Sequence, residues 1–288
     1  MTTKPILVLG GTGKTGRRVV RRLTELGIPA RAVSRSGVGA QRFDWNDDTT
    51  WAPALDGVSG VYVVQLDGGP AGLTRSFAER AVDAGAERLV LLSARGVDTP
   101  GYYGEATATS EGFLDSEAAV RDSGVAWTVL RPGWFAQNFD EGFFNDSVLA
   151  GEVRLPAGDG AASWIDVEDI ADVAVAALTG DGHAGRTYEL SGPAPVTLTE
   201  ALGLIEQATG RTARYTPLTA AAFVAELVAG GVPKAEAELW AAALHPVERG
   251  FERKVSDGVR QALGREARSF AEYVKSAAAQ GAWTKVPA

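Results

Sequence analysis

The run Ile6-Leu7-Val8-Leu9-Gly10-Gly11-Thr12-Gly13-Lys14-Thr15-Gly16 carries the strongest chemical signal in the chain. Gly11, Gly13 and Gly16 fit G-x-G-x-x-G, and Gly10, Gly13 and Gly16 fit the looser G-x-x-G-x-x-G. An apolar stretch suited to a buried strand enters this loop, and a helical pattern leaves it. Glycine serves three needs there: a tight turn, close approach of backbone N–H groups to a diphosphate, and close helix–strand contact. The N-terminus of the following helix adds unpaired N–H groups and partial positive charge. Residues 10–16 are therefore expected to bind a dinucleotide. Gly13-Lys14-Thr15 also echoes the G-K-T of a phosphate-binding P-loop. That motif needs a glycine five positions before Gly13, where Val8 stands, so nucleotide hydrolysis is not expected.

The residues after the second strand point to the phosphorylated dinucleotide. A site for the unphosphorylated form places an acid about twenty residues beyond the glycines, on the ribose hydroxyls. No acid occurs between Glu25 and Asp44. Ser34-Arg35-Ser36 stands there instead, and a guanidinium with flanking hydroxyls suits a 2′-phosphate. Lys14 is a candidate second charge for the same phosphate. The expected cofactor is NADP(H).

Composition narrows the remaining classes. With 288 residues and 45% hydrophobic content the chain can bury a full core. Its net charge of −8 disfavours nucleic acid. There are no cysteines and only two histidines, His183 and His245, so thiolate catalysis is excluded and a metal site is not expected. No signal segment opens the chain and no apolar run could cross a bilayer, so a cytoplasmic setting without membrane contact is expected. Arg17, Arg18, Arg21 and Arg22 read as the solvent face of the first helix.

The elements that must position these groups alternate regularly. Strands are expected at 6–9, 30–33, 41–43, 61–64, 88–92 and 127–130, with helices at 49–55, 72–84 and 111–122 between them. Near-continuous Val/Leu strands separated by helices predict a Rossmann-type doubly wound parallel sheet in an α/β fold. Residues 1–150 form its dinucleotide-binding core. Residues 151–288 contribute further to that core and make a smaller, mostly helical C-terminal substrate lobe, with helices at 167–178, 198–208, 220–229, 234–244 and 265–279 and strands at 152–155 and 187–190.

Taken together, the motifs resemble the NmrA-like branch of the atypical short-chain dehydrogenases/reductases. The resemblance rests on residues 10–16, on Asp44, on Gly85-Ala86-Glu87-Arg88-Leu89-Val90-Leu91-Leu92-Ser93, and on Ser123-Gly124 through Thr128-Val129-Leu130-Arg131-Pro132-Gly133 and Asn138. Residues 163–171 and 185–190 also fit. The resemblance implies a Rossmann core, bound NAD(P), and members that reduce quinones, ketones or other conjugated compounds; some relatives only sense the cofactor. One feature is missing. Typical short-chain dehydrogenases pair Tyr and Lys as Y-x-x-x-K, yet the six lysines here are Lys4, Lys14, Lys234, Lys254, Lys275 and Lys285. No tyrosine has a lysine four residues later, so the usual acid is absent.

Candidate catalytic and substrate residues follow from position. Ser93, at a strand end facing the cofactor, matches the family's serine; it either stabilises charge on a substrate carbonyl or satisfies local backbone. Tyr102 and Tyr103 fall in residues 96–110, which read as a mobile loop, and either donate to substrate or pack on the lobe. Arg95 reads as a loop cation and Glu117 as a surface helix carboxylate. Pro132 and Gly133 should bring backbone near the nicotinamide, with Gln65 and Asn138 as further cofactor candidates. Asp44 either accepts from the adenine amino group or closes a turn. Trp134, Phe135, Phe139, Phe143 and Phe144 either wall a pocket for a flat aromatic substrate or fill the core, with Trp134, Phe135, Asn138 and Phe139 as the expected substrate contacts. Asp166 is expected to cap a helix, with Asp169 in its first turn. His183 reads as surface, whereas His245 can face the pocket.

The expected function is an NADPH-dependent reductase of a bulky aromatic ketone, first a ketone on a polycyclic polyketide of the kind made in antibiotic biosynthesis. An internal hydrogen bond in such a substrate can replace an enzyme acid. The alternatives are a general quinone reductase and a non-catalytic NADP sensor. The partner expected is a small aromatic molecule, with the protein a monomer or homodimer.

Overall fold

A computed structural model describes residues 4–284 apart from 67, 105 and 106. The chain runs β1 (Ile6–Val8), α1 (Gly16–Glu25), β2 (Ala30–Ala32), α2 (Trp51–Leu55), β3 (Gly60–Val64), α3 (Leu73–Asp83), β4 (Arg88–Leu92), α4 (Thr107–Arg121) and β5 (Ala126–Pro132). It continues through α5 (Asn145–Ala150), β6 (Glu152–Leu155), β7 (Ala161–Ala162), α6 (Val167–Thr179), β8 (Arg186–Leu190), β9 (Val196–Thr197) and α7 (Leu198–Thr209). The last elements are β10 (Arg214–Pro217), α8 (Ala220–Ala229), α9 (Lys234–Glu248), α10 (Gly258–Leu263) and α11 (Phe270–Ala279).

Six strands form one parallel sheet in the order β2-β1-β3-β4-β5-β8. The expected strand at 41–43 is reduced to a single parallel bridge between Ser34 and Arg42. The chain folds back too tightly there to run straight: residues 39–41 make one 3₁₀ turn, and a Cβ on Gly37 would run into the Gln41 carbonyl. Successive strand residues point to opposite faces, and both faces are covered. Leu7, Leu9, Val61, Val63, Leu89 and Leu91 pack with Trp51 and Phe77 on one side. Ile6, Val8, Tyr62, Val90 and Leu130 pack against Ile170, Val173 and Leu178 of α6 on the other.

A third core lies beyond the sheet, where Phe139, Phe144, Trp164, Phe223 and Phe270 gather with Leu202, Val247 and Val274. Two small sheets, β6 with β10 in parallel and β7 with β9 antiparallel, brace this part. The chain leaves β1 for β2 on one side and returns to β3 on the other. That reversal opens a crevice at the carboxyl ends of β1 and β3, where ligands bind in such sheets.

Candidate active site

The glycine loop is built for close approach. Gly10 adopts φ +61°, Gly11 donates to Val33 O at 3.0 Å, and Gly13 donates to Gly10 O at 2.8 Å. A Cβ on Gly11 would lie 2.8 Å from that of Ala32, and one on Gly16 would strike the Gly10 carbonyl. Thr12 and Gly13 are exposed, while Thr15 is buried at the start of α1. Across the crevice, Gln65 Oε1 is buried with no hydrogen-bond partner among the described residues. An open glycine cradle and an orphaned acceptor facing it fit a dinucleotide whose carboxamide or ribose supplies the missing donor.

At the end of β2, Ser34 Oγ and Ser36 Oγ lie 3.3 Å apart. Arg35 is exposed and forms no ion pair among the described residues. Asp44 Oδ1 accepts the Asn46 N–H at 2.9 Å, so the turn-closing alternative is realised.

Two adjoining cavities meet at Tyr103. The inner one, about 430 Å³, is lined by Lys14, Gln65, Ser93, Pro132, Gly133, Trp134, Phe135 and Asn138, with Phe113, Ala243 and Glu252. The outer one is an apolar trough of about 1010 Å³ between α8 and α9, floored by Ala221, Val224, Ala225 and Ala242, with His245 on its wall. The glycine loop thus shares one cleft with the ends of β3, β4 and β5. At its floor the Gly133 N–H is committed to Leu190 O and the Pro132 carbonyl accepts from Arg95 N, both at 2.9 Å.

The catalytic candidates prove to be tied to buried ions. Ser93 Oγ donates to Glu117 Oε1 at 2.6 Å. Glu117 is 0% exposed, not the surface carboxylate expected. Arg131 grips it through two bonds of 2.7 and 2.8 Å, and Arg121 adds another at 2.8 Å. Tyr103 lines both cavities, but its hydroxyl donates to Arg95 O at 2.9 Å, and burial pushes its pKa upward. Tyr102 does not reach the inner cavity. Its ring packs on Gly96 and stacks on Phe251, and its hydroxyl donates to Glu252 Oε1 at 2.5 Å, which corrects its assignment to substrate.

Other expectations change for similar reasons. Arg95 is no solvated cation: it is buried, pairs with Glu252 at 3.3 Å and donates to Lys254 O at 3.0 Å. Glu252 is a site residue that the sequence did not announce. Its Oε2 abuts Gly133, and burial pushes its pKa up against the pull of Arg95 and Tyr102. Phe139 is fully buried, with edge contacts of 5.1 Å to Phe144, Trp164 and Phe270, so it is core and not a substrate contact. Trp134 and Phe135 stay half-buried on the cavity wall. On the arginine face of α1, Arg17 and Arg21 stay exposed as expected, whereas Arg18 and Arg22 are drawn in against acids. Arg18 bonds Glu141 at 2.7 Å and Glu168 at 2.8 Å, and Arg22 bonds Asp172 at 2.7 Å.

Lys14 turns into the inner cavity, where its ammonium donates to Asn138 Oδ1 at 2.8 Å. Asp166 caps α6 through the Glu168 N–H at 2.9 Å. Asp169 is buried and accepts the Arg268 N–H at 2.7 Å, joining α6 to the chain ahead of α11. His183 meets the Tyr188 hydroxyl at 2.9 Å. Residues 105 and 106 of the expected loop lie outside the described residues, and α4 already begins at Thr107. Among the described residues no acid/His cluster could hold a metal ion, and no helix is long and apolar enough to cross a membrane.

Known proteins agree with this geometry. The sequence model for NAD(P)H-binding domains matches residues 10–181. The NAD(P)H azoreductase of Xenophilus azovorans is 34% identical over 292 residues, covering 95% of this chain and 98% of its own. A (4-alkanoyl-5-oxo-2,5-dihydrofuran-3-yl)methyl phosphate reductase of Streptomyces griseus is 35% identical over 277 residues, covering 93% and 96%. Among solved structures, the NADPH-dependent quinone oxidoreductase of Escherichia coli, complexed with NADPH, has the same fold. Its TM-score is 0.74 at 24% identity, over 94% of this chain and 99% of that one.

Fold, cradle and relatives together define an NAD(P)H-dependent oxidoreductase on a Rossmann sheet. The chain belongs to the NAD(P)H-binding family whose model spans residues 10–181.

Proposed function

We propose that this protein is an NADPH-dependent reductase of a bulky, flat, conjugated ketone, a polycyclic aromatic ketone being the substrate class. The carrying observation is the pair of cavities joined at Tyr103: a smaller chamber where Lys14, Ser93 and Asn138 sit among apolar and aromatic side chains, and a larger alanine-lined trough beside it. When bound, the reduced nicotinamide supplies hydride. The residues of this chain then have to hold the acceptor and exclude water. Trp134 and Phe135 offer a wall for a planar ring, and the trough accepts the apolar remainder. Ser93, whose O–H is given to Glu117, is placed to accept a hydrogen bond from a hydroxyl of the acceptor and so orient it, and Tyr103 to separate and align the two spaces. Arg35, with Ser34 and Ser36, supports NADPH over NADH because a 2′-phosphate gives the exposed guanidinium its partner. The relatives named for azo and furanone reduction support a conjugated acceptor.

The test is NADPH consumption against a panel of benzoquinones and polycyclic aromatic ketones, on the wild type and on Ala225→Trp. Polycyclic ketones should be the better substrates of the wild type. The indole should narrow the trough and lower kcat/KM for them at least tenfold, leaving a single-ring quinone unaffected. Equal activity on single-ring quinones would make the protein a general quinone reductase. No NADPH oxidation with any acceptor would end the reading altogether.

A further inference from the structure

In the inner cavity the hydroxyl protons are already spoken for. Ser93 gives its proton to Glu117, and Tyr103 gives its own to the Arg95 carbonyl. The Lys14 ammonium differs. It has three N–H groups, of which one is held by Asn138 Oδ1, and it makes no ion pair among the described residues. Its place is built: Nζ rests against Gly142, where a Cβ would collide with it. The carboxylate close by, Glu141, is taken by Arg17 and Arg18. No other lysine lies between residues 5 and 233, and Lys14 is the one lysine that lines the inner cavity among the described residues, so it can stand in for the lysine missing from Y-x-x-x-K.

We propose that Lys14, from the glycine loop, is the catalytic acid of this reductase. Its ammonium hydrogen-bonds the acceptor oxygen and yields the proton as the carbonyl is reduced. Hydride adds to the carbonyl carbon, the C=O π pair moves to oxygen, and an O–H bond forms as one Lys14 N–H breaks. The products are the alcohol, the oxidised cofactor and a neutral amine, which water reprotonates. Burial lowers the lysine pKa, the direction an acid needs. The groups facing the ammonium pull both ways: Glu141 and Asp140 from the aromatic segment raise its pKa, while Arg17 and Arg18 of α1 lower it. Asn138 is the positioning residue.

This assignment rests on the inner cavity being the place of reduction. The competing role for Lys14 is a grip on the cofactor diphosphate. Lys14→Met and Lys14→Arg separate the two, with 9,10-phenanthrenequinone and a polycyclic ketone as acceptors and calorimetry of NADPH binding without acceptor. Acid catalysis predicts that Lys14→Met loses about 10²–10⁴-fold in kcat on the ketone. NADPH Kd should stay within threefold, and the alkaline limb of the kcat–pH profile should vanish. Lys14→Arg should keep NADPH binding and recover part of the rate. In cofactor-free protein labelled with ¹³Cε-lysine, the resonance lost in Lys14→Met should titrate below the usual lysine range. A tenfold weaker NADPH Kd with kcat preserved would overturn the proposal and leave the reductase reading intact. A wild type that reduces neither acceptor would overturn both.

Discussion

Glu117 and Arg131 form a forked carboxylate–guanidinium pair away from solvent. Both ions are buried, and each bond of the fork is charge-assisted. The pair fixes the end of β4 by taking the Ser93 proton, so Ser93 presents lone pairs to the cleft and its O–H points away from it. That arrangement suits orientation better than proton donation, so an acid in this cleft has to be a residue with spare hydrogens. Arg35 is the opposite case: a cation on the surface with no ion pair among the described residues. Arg35→Asp is expected to weaken NADPH by roughly ten- to a hundredfold, equivalent to about 1.5–3 kcal/mol for a lost charged hydrogen bond. NADH should be affected much less. Binding isotherms for the two nucleotides check this, and equal losses would refute the 2′-phosphate assignment.

The aromatic segment between β5 and α5 shows how one short stretch serves two masters. Trp134 and Phe135 face the cavity, while Phe139 and Phe144 turn inward to Trp164 and Phe270. Phe139→Ala should therefore cost about 3–5 kcal/mol of stability, the usual penalty for emptying a buried phenylalanine site. It should leave relative kcat/KM across acceptors unchanged in the folded fraction. Trp134→Ala should do the reverse, with a small shift in urea midpoint and altered acceptor selectivity. Urea titration and acceptor ranking of both variants decide it; a Phe139→Ala protein of normal stability and changed selectivity would restore that ring to the substrate wall. Helix α1 is pinned in the same economical way. Arg18 and Arg22 reach Glu141, Glu168 and Asp172, so the helix that points at the cofactor is clamped to α6.

Across the molecule, the contact between the aromatic segment and α11 carries a pH dependence. Burial pushes the Asp140 carboxyl up to about 6 from its ordinary 3.8, and Glu141 adds repulsion, although the Tyr273 hydroxyl donates to it at 2.7 Å. The folded protein thus holds this proton more tightly than the unfolded chain does. Its stabilising share is complete below about pH 4 and is lost as pH rises through about 6. Asp140→Asn should remove that loss. The variant should gain urea resistance over the wild type at pH 7.5, and the gain should shrink at pH 4. A difference that does not change with pH would show that Asp140 titrates normally.

Local chemistry made much of this protein readable from its residues. Glycine spacing, the absence of an acid before Asp44, and strands separated by helices each depend on a few neighbouring residues, so the sheet, the cradle and the helix cap at Asp166 were all legible. The ionic partners were not. Arg95 and Glu252 stand 157 positions apart and nothing near either one announces the other; only packing desolvates them and so forces them together. The same holds for Glu117, which reads as an ordinary helix acid until α4 lies against the sheet, and for Phe139, whose neighbours arrive from Trp164 and Phe270. Lys14 was visible as a charge in a phosphate loop. Its turn toward Asn138 was settled by the fold, because Gly142 leaves the ammonium room beside an acceptor brought from the far side of the cleft.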